Sequence, residues 1–350
     1  MRTQAVDTTT PDTLLTAATA APSIHNTQPW RLYWNADTRT VEVRSAAERS
    51  LPLADPRGRA RHVSVGAAVF NLRLAAARLG GRPYADLLPD PARPDLLATV
   101  HPLDPPRPDE GPGPCADLYD AIPLRHTCRL PFTGRPVPES VVAEMTEAAR
   151  TEGARLYVPG ITATRRLLRV TALAEARNRA SAPRTAEARA WITAPGTRSP
   201  YGIPLTALGP LDAAGRMPVR DFTGPLPAWR LPPVTFERHT QVALLWTAND
   251  RREDWLRAGQ ALQHVLLTAT AHGVRTSVLH QAMEWPDLRA AMCEPKRQYC
   301  PHALIRFGYG PDGVPTPRAR ARQPRRPAPR PAPERAPGRG PGPADGARRS

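Results

Sequence analysis

The chain has 350 residues and a formal net charge of +16, from 48 Lys and Arg against 32 Asp and Glu. Residues 311–350 hold ten Arg against three acidic residues, so this short tail carries +7 of the charge. Because the first 310 residues show no Arg-rich helix or aromatic-interleaved strand, the composition does not predict a nucleic-acid partner. No apolar run approaches the roughly 18 residues that span a bilayer, and no signal pattern opens the chain, which predicts a cytoplasmic protein without a membrane partner.

The four cysteines are too few and too scattered for a disulfide framework. Cys293, Cys300 and His302 lie close in sequence, but the second half of a zinc motif is missing, so no metal is predicted. Reduced thiols agree with a cytoplasmic location.

The first part of the chain predicts a helix, two strands, a long helix and a further strand. Thr10-Pro11-Asp12 is typical of a helix start, and Pro22 ends that helix. RLYW and VEVRS are predicted strands around the turn NADT. The long helix covers residues 63–81, and LLATVHPL predicts the last strand before a linker at residues 104–114.

The same plan is repeated after the linker. A helix opens at Pro138-Glu139 and ends at Gly153, and the strands ARLYV and QVALLWT follow it. The long helix DWLRAGQALQHVLLTATAHG and the strand ALIRFGYG complete the repeat.

The two long helices align without gaps when Gly66 is matched with Gly259, and five of fifteen positions are identical. Together with the recurring order of elements, this predicts an internal duplication. We assign residues 1–114 to lobe 1 and residues 115–310 to lobe 2. Asn71, on the first long helix, is predicted to face a polar neighbour.

A long insertion separates the two predicted strands ARLYV and QVALLWT of lobe 2. It begins with the helical sequence ITATRRLLRVTALAEARNRA and continues with Pro- and Gly-rich residues 193–233. A loop of this length in a compact domain is typical of a lid, which we place at about residues 180–233. Residues 311–350 hold eleven Pro, five Gly and no aromatic residue, so a disordered tail is predicted there.

Two polar loops stand out, whereas the P-loop, G-x-S-x-G and H-E-x-x-H signatures are absent. APSIHNTQPW, residues 21–30, follows the first helix, and RHTCR, residues 125–129, precedes the first helix of lobe 2. The second loop combines two guanidiniums, an imidazole and a hydroxyl, which are groups suited to a phosphate. Arg306, on the last strand, is predicted to be partly buried and to need an anion.

These loops carry a family resemblance. RHTCRLPFTGRPVPESVVAEMTEAA resembles the opening of nitroreductase-family flavoproteins, where a basic run, a Phe and a Pro-Val-Pro segment precede a helix. In that family the helix leads into a turn similar to APSIHNTQPW, but here this turn follows the helix of lobe 1, and lobe 2 has RTEGARLYV instead. Each lobe keeps the segment that the other lacks. The pattern resembles the fused Acg branch of the family over about residues 10–310.

The resemblance implies an α+β nitroreductase-like fold in which two tandem lobes mimic a homodimer, with a lid and a single FMN. The residues that match the phosphate-binding positions are Arg125, His126, Thr127, Arg129 and Arg306. The residues that match the turn against the flavin ring are Pro22, Ser23, Ile24 and Asn26. His280 and Gln281 stand beneath the ring and are substrate-pocket candidates together with His25, which could equally be a structural cap. Gln28 is expected to tie the turn together, and Trp30 to anchor it in the core.

The implied function is transfer of electrons from NAD(P)H through the flavin to a nitroaromatic or quinone-like small molecule, with no catalytic side chain. The alternative is a catalytically silent protein that binds or sequesters flavin beneath a closed lid. A loss of flavin binding and self-association of the fused units both stay open on the sequence alone.

Overall fold

The computed structural model describes residues 9–102, 116–194, 196–223, 232–293 and 299–320. The helices in these ranges are α1 (Thr9–Thr19), α2 (Arg59–Arg78), α3 (Glu139–Thr151), α4 (Ile161–Ala180), α5 (Ala182–Ala190), α6 (Arg252–Ala271) and α7 (Pro286–Ala291). The strands are β1 (Trp30–Asn35), β2 (Thr40–Ser45), β3 (Tyr84–Leu87), β4 (Leu96–His101), β5 (Arg155–Tyr157), β6 (Ile192–Thr193), β7 (Ile203–Pro204), β8 (Gln241–Thr247), β9 (Arg275–Leu279) and β10 (Cys300–Gly308). The predicted linker at residues 104–114 lies outside the described residues.

Two four-stranded antiparallel sheets form the frame of the α+β fold. Their strand orders are β1-β2-β4-β3 and β5-β8-β10-β9. When the strands of each sheet are numbered in chain order, the two orders are identical. Helix α2 packs on the first sheet and α6 on the second, and the two helices pack against each other.

Strands β3 and β9 were not predicted from the sequence. Each is short and lies at the edge of its sheet, where it pairs with one neighbour only. Tyr84 at the start of β3 pairs with His101 and stacks on its ring at a centroid distance of 4.3 Å. Because such a strand is held by pairing with a distant segment, its own sequence carries a weak signal. The helices and strands that the sequence did predict lie within a few residues of the observed ones.

Gly66 and Gly259 meet at the crossing of α2 and α6. A Cβ on Gly66 would lie 2.1 Å from the carbonyl oxygen of Leu256, and a Cβ on Gly259 would lie 2.0 Å from that of Val63. Val63 and Leu256 are matched with each other by the same alignment that matches the glycines. The helices therefore approach to backbone contact, which only glycine permits at these two positions.

Asn71 belongs to a buried polar group beside this crossing. Its Nδ2 donates to the carbonyl oxygen of Ala17 at 2.8 Å, and its Oδ1 accepts from Nε2 of Gln263 at 2.8 Å. The prediction of a polar neighbour for Asn71 is confirmed. The bonds link α1, α2 and α6 and leave neither amide atom of Asn71 without a partner.

The predicted lid region contains α5, β6 and β7 among the described residues, while residues 195 and 224–231 lie outside them. The carboxylate of Glu187 in α5 accepts from the backbone N–H groups of Leu53 and Ala54 at 2.9 and 2.8 Å. Strands β6 and β7 form a small parallel pair. The insertion is thus fastened to a loop of lobe 1.

The prediction of a disordered tail is wrong for residues 311–320. Pro311 accepts a bond from the Cys128 thiol, and Ala319 donates its backbone N–H to Gln28 at 2.9 Å. Composition alone misled here, because distant side chains supply partners for the backbone of this segment. Residues 321–350 lie outside the described residues.

Candidate functional site

A single cavity brings together all twelve residues that the sequence singled out. It is lined by residues of both predicted lobes and of the predicted lid region. Its walls include Pro22, Ser23, Ile24, His25, Asn26, Arg125, His126, Thr127, Arg129, His280, Gln281 and Arg306. Apolar residues of α2, α6, β9 and the lid fill the sides, which is the usual composition of a small-molecule site.

The turn of residues 22–28 has a strained backbone. His25, Asn26 and Gln28 have φ angles of 48°, 53° and 48°, in the left-handed region that disfavours residues with a Cβ. Side-chain bonds hold the turn, because Ser23 Oγ accepts from the N–H of Gln28 at 2.9 Å. Such strain is kept where a functional arrangement is worth its cost. Trp30, immediately after the turn, is buried in the core of lobe 1, as predicted.

Asn26 and Gln28 tie the turn to the lid and to the tail. Asn26 Nδ2 donates to the carbonyl oxygens of Gly202 and Pro317 at 2.8 and 2.9 Å, and its Oδ1 accepts from Arg318 at 2.9 Å. Gln28 Nε2 donates to Pro200 at 2.6 Å, in addition to the bond from Ala319. Both Nδ2 hydrogens of Asn26 are thus used within the protein, which leaves only the second lone pair of Oδ1 for the predicted contact with a flavin ring.

Arg125 provides an unpartnered cation at one end of the cavity. The residue is 4% exposed, its Nε has no partner, and the described residues offer its guanidinium no ion pair. Burial and the nearby charge of Arg318 lower the pKa of Arg125 to about 9. His126, Thr127 and Arg318 line the same cavity, so an anion bound there would offset a costly buried charge.

Arg129 and Arg306 are less free than predicted. Arg129 lines the cavity and donates to the carbonyl oxygen of Ala207 in the lid region at 2.7 Å. Arg306 forms a bidentate pair with Glu237, at 2.6 Å in both bonds, and donates to Leu130 at 3.1 Å. The anion that buried Arg306 needs is thus Glu237 of the same chain, and its predicted role at a phosphate is not supported by these bonds.

A further group of polar side chains at the cavity surrounds Glu284, whose side chain is fully buried. Glu284 forms an ion pair with Arg220 of the lid, the second bond of which is 3.2 Å, and lies 3.7 Å from His280 Nδ1. Burial alone would raise the pKa of Glu284, but Arg220 and His280 lower it to about 2. Gln281 donates to Pro218 at 2.9 Å, so it too fastens the lid.

His25 is buried and has no hydrogen-bond partner at either ring nitrogen. Its ring meets Phe222 of the lid edge to face at 5.2 Å. Burial and the charge of Arg220 hold the pKa of His25 well below its usual value, so the ring is neutral. Of the two interpretations left open by the sequence, the pocket position is observed, since no capping bond of His25 occurs among the described residues.

Sequence reasoning missed several cavity residues from distant segments. The lid contributes Ile203, Met217, Val219, Arg220 and Phe222, and the tail contributes Thr316 and Arg318. Their positions depend on how far-separated segments dock, which no local pattern records. The one available signal was the pair of buried amides in APSIHNTQPW, since two amides in one turn need partners elsewhere.

Comparison with known proteins gives a consistent relationship. The model of the nitroreductase family matches residues 122–309. “Putative NAD(P)H nitroreductase Rv3131” of Mycobacterium tuberculosis is 32% identical over 331 residues, covering 92% of this chain and 93% of the relative. “Putative NAD(P)H nitroreductase acg” of the same organism is 31% identical over 335 residues, covering 90% and 96%.

Solved structures that resemble the chain include the FMN-dependent nitroreductase NfnB from Mycobacterium smegmatis in complex with NADPH. It is 21% identical, covers 58% of this chain and 95% of its own, and has a TM-score of 0.35. Because this score is low, the family assignment depends on the sequence matches. No helix in the described ranges is long and apolar enough to cross a membrane.

Proposed function

From the premise that this chain belongs to the nitroreductase family, we propose that it is an FMN-binding oxidoreductase. The proposed donor is NAD(P)H, and the proposed acceptor is a nitroaromatic or quinone-like small molecule. The two most similar relatives described above are named as NAD(P)H nitroreductases, which supports this donor.

The observation that carries the proposal is the buried, unpartnered guanidinium of Arg125 at the end of a cavity with apolar sides. A phosphate monoester would accept hydrogen bonds from Arg125 and from Arg318, His126 and Thr127 beside it. Apolar residues that could face a flat ring, among them Ile24 of the turn and Leu262 of α6, also line the cavity. The groups present therefore fit FMN.

The roles of the chain follow from this fit. Arg125 and Arg318 would hold the phosphate, and the rigid turn of residues 22–28 would orient the ring. FMN, when bound, would supply the hydride chemistry. Arg129, which lines the cavity, would stabilise negative charge on the ring. The lid residues Met217 and Phe222 would exclude water.

We further propose that the two lobes act as a single-chain version of a dimer with one site. Lobe 1 would provide the turn and lobe 2 the basic run of residues 125–129, with boundaries at about residues 114 and 310. The identical strand orders of the two sheets support this relationship. Gly66 and Gly259 support it too, because exchange of the two lobes would exchange the contacts that these glycines make. Self-association is not required to complete such a site.

Spectroscopy of the purified protein tests the proposal. We expect the absorbance bands of bound flavin, and bleaching of these bands on anaerobic titration with NADPH or NADH. Reoxidation on addition of p-benzoquinone or nitrofurazone would identify the acceptor class. A colourless protein whose melting temperature does not rise with added FMN would refute the proposal.

A second candidate function is flavin binding without turnover, and the fastening of the lid favours it. Pro200, Gly202, Pro218 and Arg220 of the lid region are all bonded to the site residues named above. A lid that stays closed would keep a nicotinamide away from the ring. Reduction of the bound flavin by dithionite but not by NAD(P)H would support this candidate over the oxidoreductase.

A further inference from the structure

Two imidazoles in the cavity have no use within the protein. His25 and His280 both line the cavity, and all four of their ring nitrogens are buried without a hydrogen-bond partner among the described residues. Burying an unpaired polar group has a cost of about 1–3 kcal/mol. Two such groups in one cavity indicate a ligand with hydrogen-bonding atoms.

His280 differs from His25 because the carboxylate of Glu284 lies beside its ring. The Glu284 carboxylate carries a negative charge at neutral pH and lies 3.7 Å from His280 Nδ1. The same oxygen, Oε1, is bonded to Arg220. An imidazole backed by a carboxylate is the usual arrangement of a proton donor or acceptor.

The charged and titratable groups around His280 come from every element packed on it. They are Glu284 on the following turn, Arg220 of the lid, His25 of the strained turn, Asp55 before α2 and His302 of β10. Glu284 and Arg220 carry opposite charges and are paired with each other. His25 and His302 are buried and neutral.

We propose that His280 is a catalytic residue that donates a proton to an oxygen atom of the electron acceptor. The inference depends on the proposed function for its source of hydride, which is the reduced flavin. A quinone takes up a hydride, which brings two electrons and one proton, and a second proton from the imidazolium of His280. The product is the hydroquinone, His280 becomes neutral, and water returns its proton.

His25 has a different part in the same step. Its neutral ring offers one N–H donor and one acceptor nitrogen, and the strained turn and Phe222 fix its orientation. It binds the second oxygen of the acceptor. A nitro group presents oxygen acceptors in the same way, so the pair recognises an oxygen-bearing acceptor.

Anaerobic stopped-flow measurement on the flavin-loaded protein tests the proposal. His280→Gln keeps a hydrogen-bonding side chain but cannot act as an acid. We expect reduction by dithionite to be unchanged and reoxidation by p-benzoquinone at pH 7 to slow by about 10²-fold, the scale of general acid catalysis. In the wild type, reoxidation is slower in D₂O than in H₂O, and this difference disappears in His280→Gln.

Reoxidation of His280→Gln at the wild-type rate, or with the wild-type D₂O effect, would overturn the proposal while leaving the oxidoreductase assignment intact. Failure of the wild type to bind or reduce flavin would instead refute the proposed function.

A second measurement does not require turnover or a folded variant. Addition of hydroquinone to the wild-type protein should shift the imidazole ¹H–¹⁵N signals of His280 and His25, but not those of His272, which lies outside the cavity. Unshifted His280 signals at saturating hydroquinone would overturn the proposal whether or not flavin is bound.

Discussion

The two lobes have the same frame but differ in the segment between the first helix and the first strand. In lobe 1 ten residues connect α1 to β1, and in lobe 2 three residues connect α3 to β5. The longer segment is the strained turn of the cavity. The shared parts are explained by packing and pairing, so the chemistry is concentrated in the parts that the lobes do not share.

The α2–α6 crossing has the cavity on one side and the polar residues Gln260, Arg73 and Glu152 on the other. The two sides differ in whether their polar groups find partners within the protein. Gln260 is matched by alignment with Ala67, a cavity residue, and it accepts from Arg73, which also pairs with buried Glu152 at 2.5 Å. On this side the polar groups satisfy one another. On the cavity side, Arg125 and His25 have unpartnered atoms. The cavity side therefore holds unpartnered polar groups that a ligand could satisfy.

The largest expected effect is a loss of stability at the crossing of α2 and α6. In Gly259→Ala the new Cβ would meet the Val63 carbonyl oxygen, so the helices must separate and stability should fall by roughly 3 kcal/mol. Gly66→Ala should have a similar effect because its contact is related by exchange of the lobes. Urea unfolding measures both. The control is Gly160→Ala, where no heavy atom lies within 4 Å of the added Cβ.

Unequal losses for the two glycine variants would contradict a symmetric crossing. A loss for Gly160→Ala as large as that for Gly259→Ala would show that the effect does not come from the helix contact.

The next largest effect distinguishes the cavity side of the α2–α6 crossing from the side that holds Arg73 and Gln260. Arg125→Ala should weaken FMN binding by about 30- to 100-fold, since a charged hydrogen bond contributes roughly 1.5–3 kcal/mol. Arg73→Ala should leave FMN affinity unchanged but lower stability, because it leaves buried Glu152 without its cation. Fluorescence titration and thermal unfolding measure the two quantities. Equal FMN affinities of the two variants would refute the assignment of the phosphate end.

The site was easier to predict from the sequence than the way it is held. The turn and the basic run are local patterns of polar residues, so the sequence located both. Asn26 and Gln28 were assigned to the ring and to the turn, whereas their partners lie 172 to 292 residues away in the lid and tail. Composition suggested a disordered tail, and no local signal marks Arg318. Long-range docking is what the sequence did not show.

A smaller effect comes from pH and concerns a matched pair of residues. His62 in α2 is aligned with Trp255 in α6, and their rings meet edge to face at 5.3 Å. Burial and the charge of Arg252 lower the pKa of His62 to about 4. The unfolded chain therefore binds more protons at this position between pH 6.5 and 4, and His62 alone should lower stability by about 2 kcal/mol from pH 7 to pH 5.

Urea unfolding at pH 7 and pH 5 measures this loss. His62→Gln should reduce the loss, because the variant has no group to protonate at this position. His272→Gln, at a more exposed histidine, should not reduce it. An unchanged pH dependence in His62→Gln would assign the acid sensitivity to other buried histidines.

The smallest expected effect concerns the hydrogen bonds that join the strained turn to the lid and to the tail. Gln28→Ala removes the bonds to Pro200 in the lid and to Ala319 in the tail. We expect the tail to detach about tenfold more often, in line with roughly 1–3 kcal/mol for unpaired buried groups. Trypsin cleavage after Arg318, which is bonded to Asn26 in the folded protein, should rise by the same factor because cleavage follows the open population.

Gln281→Ala provides the matched comparison, because Gln281 is bonded to Pro218 of the lid and not to the tail. If the turn holds lid and tail through separate bonds, Gln281→Ala leaves the cleavage rate after Arg318 at the wild-type value. If the lid itself holds the tail in place, both variants accelerate cleavage equally. The second result would contradict a direct role of Gln28 and would make the lid, with its ion pair between Arg220 and Glu284, the element that orders residues 316–319.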